Sequence, residues 1–198
     1  MEARRFDKDP MSVEEFLDWH QYQEERYELV QGTPVRMMTG ARQDHNLVKA
    51  NVSFALMRRL RGGGCRTTSS DTAVRTTPDQ IRYPDVVVDC GPADLASLTA
   101  SEARLVVEVA SPSTRDFDLA AKLDEYRETA SIAYVLLIEP AVVDVTLHAR
   151  GEAGWVRTQY LFLDAVIELP ALGIALPMAE VYEDVSPEPR APVLSARS

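Results

Sequence analysis

Residues 83–89, Tyr83-Pro84-Asp85-Val86-Val87-Val88-Asp89, decide the fold when read with residues 105–113, Leu105-Val106-Val107-Glu108-Val109-Ala110-Ser111-Pro112-Ser113. Each is a short Val-rich run carrying a carboxylate where a buried strand should carry none. An unpaired charge on a central strand is costly to desolvate. Two such runs, close together in sequence, point to a shared task for Asp85 and Glu108. The most economical one is to hold a divalent cation between them. Strand periodicity puts Asp85, Val87 and Asp89 on one face, with Val86 and Val88 on the other. Val106, Glu108 and Ala110 likewise share a face, so the two acids converge if the strands are neighbours in suitable register.

Outward from these runs, helical and extended patterns alternate. Ser12-Val13-Glu14-Glu15 fits a capping box ahead of a short helix whose apolar side is Phe16, Leu17 and Trp19. Residues 27–30 and 33–38 read as a hairpin around Gln31-Gly32. Asp44 is the expected N-cap of a helix to Arg61, with Leu47, Val48, Val52, Ala55, Leu56 and Leu60 as its stripe and Gly62-Gly63-Gly64 as its end. Residues 66–75 read as one strand and residues 81–89 as another, the first to carry a carboxylate. After the Glu108 strand, a helix opens at Asp116 or Asp118 and runs to Thr129. Residues 133–138, Ala-Tyr-Val-Leu-Leu-Ile, form a buried strand. A second hairpin follows around residues 151–154, then a short strand at 166–169 and a helical turn at 177–182. The expected architecture is α/β, a mixed central sheet flanked by helices with additional β-hairpins.

The chain has 198 residues, 45% hydrophobic and 26% charged, with a formal net charge of −10. That length suits one domain, expected over residues 11–185 between a disordered extension at 1–10 and a disordered tail at 186–198. The acidic balance argues against a large phosphate-contacting surface, yet leaves room for a small basic groove. Cys65 and Cys90 lie in unrelated places without metal-ligand spacing. With no signal peptide and no apolar run of spanning length, the expectation is a reduced, cytoplasmic protein with no membrane segment.

A lysine is the natural third member of a two-carboxylate phosphate site, as a point charge. The same-face position two residues after Glu108 is Ala110, so the strand supplies none. Lys122 on the following helix is the nearest candidate, since Asp118, Lys122 and Tyr126 recur four apart on one side.

Pro84-Asp85 followed by Glu108 on a strand resembles the core of the PD-(D/E)XK nucleases, in which the lysine stands where this chain has Ala110. The wider pattern resembles the Uma-type "putative restriction endonuclease" family, over about residues 11–185. It comprises residues 27–32, His45, Pro84 to Val88, Glu108 to Ser113, Asp116 with Lys122 and Tyr126, and residues 134–137. The resemblance implies a restriction-endonuclease-like fold and a Mg²⁺- or Mn²⁺-dependent endonuclease acting on DNA. Asp85 and Glu108 would be metal ligands, Lys122 the migrated lysine and Glu28 a fourth catalytic residue. His45, Tyr126 and Asp118 would stand at the site edge. A homodimer is expected by analogy with nucleases that cut two strands.

Plainer readings stand beside these. Asp85 could open a strand by meeting backbone donors, and Glu108 could be half of a buried salt bridge with Lys122. Glu28 could pair with Arg26 or Arg36, His45 could be a capping or surface residue, and Tyr126 could be core with its hydroxyl at the site edge. Arg58, Arg59 and Arg61 could be a solvated helix face beside the helix C-terminus or a basic edge for a phosphate backbone. Ser111 and Ser113 lie in a strand-ending turn rather than a nucleophile site. Two other functions fit: a catalytically inactive nuclease-fold module that binds or regulates, and a hydrolase of small phosphorylated metabolites.

Overall fold

Ser12 caps the first helix as its sequence requires. Its hydroxyl accepts the Glu15 N–H at 3.2 Å, and the Glu15 carboxylate accepts the Ser12 N–H at 2.8 Å. The computed structural model describes residues 9–37, 40–111 and 116–189, with residues 116–118 in their backbone alone. Helix α1 (Val13–His20) leads into the hairpin β1 (Tyr27–Val30) and β2 (Thr33–Arg36), then α2 (Gln43–Leu60). Four strands follow: β3 (Arg66–Ser69), β4 (Val74–Thr77), β5 (Gln80–Arg82) and β6 (Val86–Asp89). Next come β7 (Ala103–Val109), α3 (Asp116–Glu128) and β8 (Tyr134–Glu139). The chain then forms β9 (Asp144–Gly151), β10 (Gly154–Tyr160), β11 (Val166–Leu169), β12 (Ile174–Pro177) and a short α4 (Met178–Val181). Strand β12, which pairs with β11, is absent from the sequence reading.

A six-stranded sheet of order β10-β9-β8-β7-β6-β3 forms the centre. Only β7 and β8 run parallel within it, because α3 carries the chain back across the sheet between them. Val86, Val88, Leu105, Val107 and Val109 pack with Val48, Val52, Ala55 and Leu56 of α2 in the main core. Val87, Val106 and Val135 point the other way, onto Tyr126 of α3 and Ile132. With both faces covered, the central strands read as unbroken apolar runs, which is why the one polar side chain in β7's inner half, Glu108, stands out. A four-stranded sheet, β2-β1-β5-β4, packs through Leu29 and Ile81 on Val13 and Phe16 of α1.

The expected single strands at 66–75 and 81–89 are each two strands in different sheets. Ser70, at φ +49°, turns the chain out of β3 before β4 begins. At residues 83–85 the chain crosses back, and Pro84, which has no N–H to give a ladder, marks the break. Asp85 therefore lies just off the end of β6 rather than inside a strand.

Other expectations are corrected too. The N-cap of α2 is Arg42, at φ −65° and ψ 160°, not Asp44. Asp44 sits inside the first turn, paired with Arg42 at 2.9 Å, and accepts the N–H of His45 at 2.8 Å. Leu47 is 41% exposed, and His45 stands on the buried stripe instead, because the helix turns its first residues toward a cleft. Cys65 and Cys90 are joined in a disulfide across a Cα–Cα distance of 4.1 Å. They flank the Arg66–Asp89 pair of β3 and β6, so antiparallel register sets them face to face. That pairing replaces the reading of two unrelated, reduced cysteines. Glu188 pairs with Val142, two residues past the expected start of the tail, and residues 190–198 and 1–8 lie outside the described residues. Among the described residues no helix is long and apolar enough to cross a membrane.

Candidate active site

Register, more than side-chain pattern, brings the acids together. Val86 pairs with Val107 and Val87 with Val106 in the antiparallel β6–β7 ladder. One step further along, Asp85 comes opposite Glu108. The Asp85 carboxylate then turns onto β7, where its Oδ2 accepts the Val109 N–H at 2.9 Å. Its own carbonyl accepts the Ser70 N–H at 3.1 Å, so the turn after β3 also fixes it. His45 Nε2 reaches the same Oδ2 at 3.5 Å from the first turn of α2. Hydrogen bonding to Asp85 raises the pKa of His45 against the opposing effect of burial.

Glu108 projects from the α3 face of β7. Tyr126, fully buried on α3, donates its hydroxyl to Glu108 Oε1 at 2.6 Å. Burial pushes the Glu108 carboxyl up to about 7; Lys122 and the Tyr126 hydrogen bond pull it back, while Asp85 and Glu28 push it further. This carboxyl therefore changes charge near neutral pH, and the charge it repels most is that of Asp85.

Glu28, on the inner strand β1, is a third buried acid. Its Oε1 accepts from Lys122 Nζ at 2.9 Å, and its Oε2 from Arg82 at 2.8 Å. The Tyr83 N–H adds a longer bond to Oε1 at 3.3 Å. The partners suggested by sequence, Arg26 and Arg36, instead bind Asp71 and Glu25. Arg82 is nearly fully buried between Glu28 and Glu125, to which it gives bonds of 2.7 and 2.5 Å. Despite the cost of burial, the two carboxylates leave its pKa raised.

Asp85, Glu108, Glu28, Lys122 and His45 thus line one cavity of about 990 Å³, joined by Arg26, Lys49, Arg82 and Glu125. Tyr126 stands behind Glu108. The side chain of Asp118, expected at the edge, lies outside the described residues, as do Pro112 and Ser113. Sequence reasoning missed Arg82, Glu125 and Lys49. The available signals were an arginine inside the apolar run Ile81-Arg82-Tyr83, and a glutamate three residues after Lys122 on the helix face that meets it.

Among the described residues no three His, Cys, Asp or Glu side chains are grouped to hold a metal. The donor set is the pair Asp85 and Glu108. It fits a hard divalent cation that keeps waters and takes a substrate oxygen, since Mg²⁺ is commonly held by one or two carboxylates. Burial is the main cause that raises Glu108, and the charge of Asp85 adds to it, so a cation held by the pair would relieve both effects.

Comparison with known proteins bears on the family and the fold. The family model described as "Uma2: Putative restriction endonuclease" matches residues 13–179. The uncharacterized protein slr1290 of Synechocystis sp. is 29% identical over 179 residues, covering 89% of this chain and 93% of that protein. A crystal structure of a "putative nuclease belonging to DUF820" from Anabaena variabilis superposes with a TM-score of 0.71. That likeness covers 87% of this chain and 97% of the other at 14% identity, and it is a likeness of fold. The mixed sheet with flanking helices is the restriction-endonuclease-like architecture that the sequence resemblance implied.

Proposed function

We propose that this chain, which belongs to the Uma2 family, is a metal-dependent endonuclease that hydrolyses DNA phosphodiester bonds. The observation that carries the reading is the meeting of Asp85 and Glu108, from adjacent strand ends, with the Lys122 amine in one cavity. Asp85 and Glu108 would hold Mg²⁺ or Mn²⁺, which when bound would acidify a water and offset charge on a phosphoryl oxygen.

The remaining work falls to the chain itself. Lys122 brings a positive charge to the reacting phosphate, and its 2.9 Å bond to Glu28 fixes its aim. Glu28 acts through that contact and is itself fixed by Arg82, which Glu125 anchors from the other side. Tyr126 orients the Glu108 carboxylate and favours its ionised form. Because the Glu108 proton competes with a cation, metal affinity should strengthen as pH rises toward and past about 7.

Plasmid and single-stranded DNA incubated with Mg²⁺ or Mn²⁺ test the proposal directly. The wild-type protein should cut, and Asp85→Asn, Glu108→Gln and Lys122→Gln should each lose about 100-fold or more. Undiminished cutting by the two carboxylate variants overturns it. The net charge of −10 favours a second reading, a nuclease-fold module that binds or regulates without turnover. Mn²⁺ binding by calorimetry without cleavage of any nucleic acid would select that alternative. Cutting both strands of a duplex calls for two such sites, so the active species should sediment as a homodimer.

A further inference from the structure

Five cationic side chains of the Arg and Lys type line the cavity: Arg26, Arg36, Lys49, Arg82 and Lys122. Four have carboxylate partners. Arg26 pairs with Asp71 at 3.2 Å, Arg36 with Glu25 at 2.6 Å, Arg82 with Glu28 and Glu125, and Lys122 with Glu28. Lys49 has none among the described residues; its Nζ donates to the neutral Ser70 hydroxyl at 3.2 Å. A half-buried ammonium among so many acids, yet joined to none, is an exception to how the rest of the cavity is balanced.

Its position says what it could serve. Lys49 lies one helical turn after His45 on α2, and His45 reaches Asp85. Ser70, which holds the Lys49 amine, gives its own N–H to the Asp85 carbonyl at 3.1 Å. The amine is therefore tethered near Asp85 on the α2 side, whereas Lys122 enters from α3. Two lysines from opposite helices suit two different phosphates.

Resting on the nuclease reading above, we propose that Lys49, steadied by Ser70, anchors a backbone phosphate next to the one that is cut. A phosphodiester chain offers one negative charge per nucleotide, and an ammonium with no carboxylate partner among the described residues matches one of them without reading sequence. On this proposal the ligand is a polynucleotide, and a metabolite carrying a single phosphate would leave Lys49 unengaged. It also explains how an acidic protein holds nucleic acid, through local charge inside a cleft.

The test uses the whole chain with oligonucleotides carrying one neutral methylphosphonate linkage, moved stepwise past the cut. Affinity is read with Ca²⁺ and cleavage with Mn²⁺, for wild type, Lys49→Gln and Lys49→Arg. Neutralising one linkage beside the cut should weaken wild-type binding about tenfold, the loss expected of one charge-assisted contact. Lys49→Gln should start about tenfold weaker and lose nothing more at that linkage, while Lys49→Arg recovers the wild-type pattern. The slope of log affinity against log salt should fall by about 0.7 to 0.9 in Lys49→Gln. If wild type cuts but Lys49→Gln responds to every linkage as wild type does, the Lys49 assignment is wrong and the nuclease reading stands. A wild-type protein that neither binds nor cuts any oligonucleotide overturns both.

Discussion

Replacing Glu108 with glutamine should make the metal-free protein more stable at alkaline pH, although a buried hydrogen-bonded residue is being changed. The carboxyl titrates at about 7 in the folded chain against 4.5 for the ordinary side chain. Below 4.5 it is protonated in both states, and the variant gains nothing. Between 4.5 and 7 the unfolded chain gives up a proton that the folded chain keeps, so wild-type stability falls as pH rises. Above 7 the loss is complete, at about 3 kcal/mol from about 1.4 kcal/mol per pH unit crossed. Glu108 keeps some contact with solvent, so about 2 kcal/mol is the difference to expect. Glutamine preserves the shape, cannot ionise and still accepts from Tyr126. Urea unfolding of both proteins in EDTA at pH 4, 5.5, 7 and 8.5 (values spanning the titration by design, about 1.5 apart) measures it. The variant should match wild type at the acid end and exceed it at the alkaline end. Mn²⁺ at about 100 times its dissociation constant should then stabilise wild type by about 2.7 kcal/mol and the variant far less. A stability difference that does not change with pH refutes the claim that burial, with Asp85 beside it, holds the Glu108 carboxyl above its ordinary range.

Three further outcomes follow from the same geometry. Tyr126→Phe removes the 2.6 Å bond that favours ionised Glu108, so the pH at which Mn²⁺ begins to bind should move upward, at a stability cost of about 1 to 2 kcal/mol. Asp89→Asn should cost about 2 kcal/mol at neutral pH and leave DNA cleavage unchanged. Burial raises the Asp89 pKa, but the amides of Gly91, Glu102 and Ser101 and the Arg66 guanidinium outweigh it and hold the value low. Its contribution is thus present above the ordinary 3.8 and lost as pH falls through the folded value, where the two proteins should converge in chemical denaturation. The Cys65→Ser, Cys90→Ser double variant should lose about 3 kcal/mol, as expected for a bridge closing a separation of 25 residues, and wild type in strong reductant should melt at the same lowered temperature.

Asp89 and Asp85 show where strand periodicity misleads. Four residues apart on the alternating pattern Asp85-Val86-Val87-Val88-Asp89, they belong on one face by that pattern. In the fold Asp89 ties down the loop at residues 91–102 through Gly91, Ser101 and Glu102, while Asp85 stands past the other end of β6. Pro84 announced that end, since it cannot feed a ladder, but not that the chain would change sheets there. The weak alternation of residues 66–75 was a similar sign: one stretch serving two sheets keeps no single inside face. Glu108, by contrast, was legible because apolar neighbours on both sides declare burial whatever the register.

By itself, the sequence determined the alternation of helices and strands, the capped first helix, the Gly32 turn, the Val-rich inner strands and the acid, Glu108, that interrupts one of them. Those depend on local chemistry: side-chain period, caps, and the backbone freedom of proline and glycine. Only the tertiary structure decided that Asp85 faces Glu108, that Cys65 meets Cys90, and that Glu28 and Arg82, 54 residues apart, bond in the core. Register and sheet membership are collective choices, made by the summed burial of many side chains, and no short stretch carries enough of that sum to reveal them.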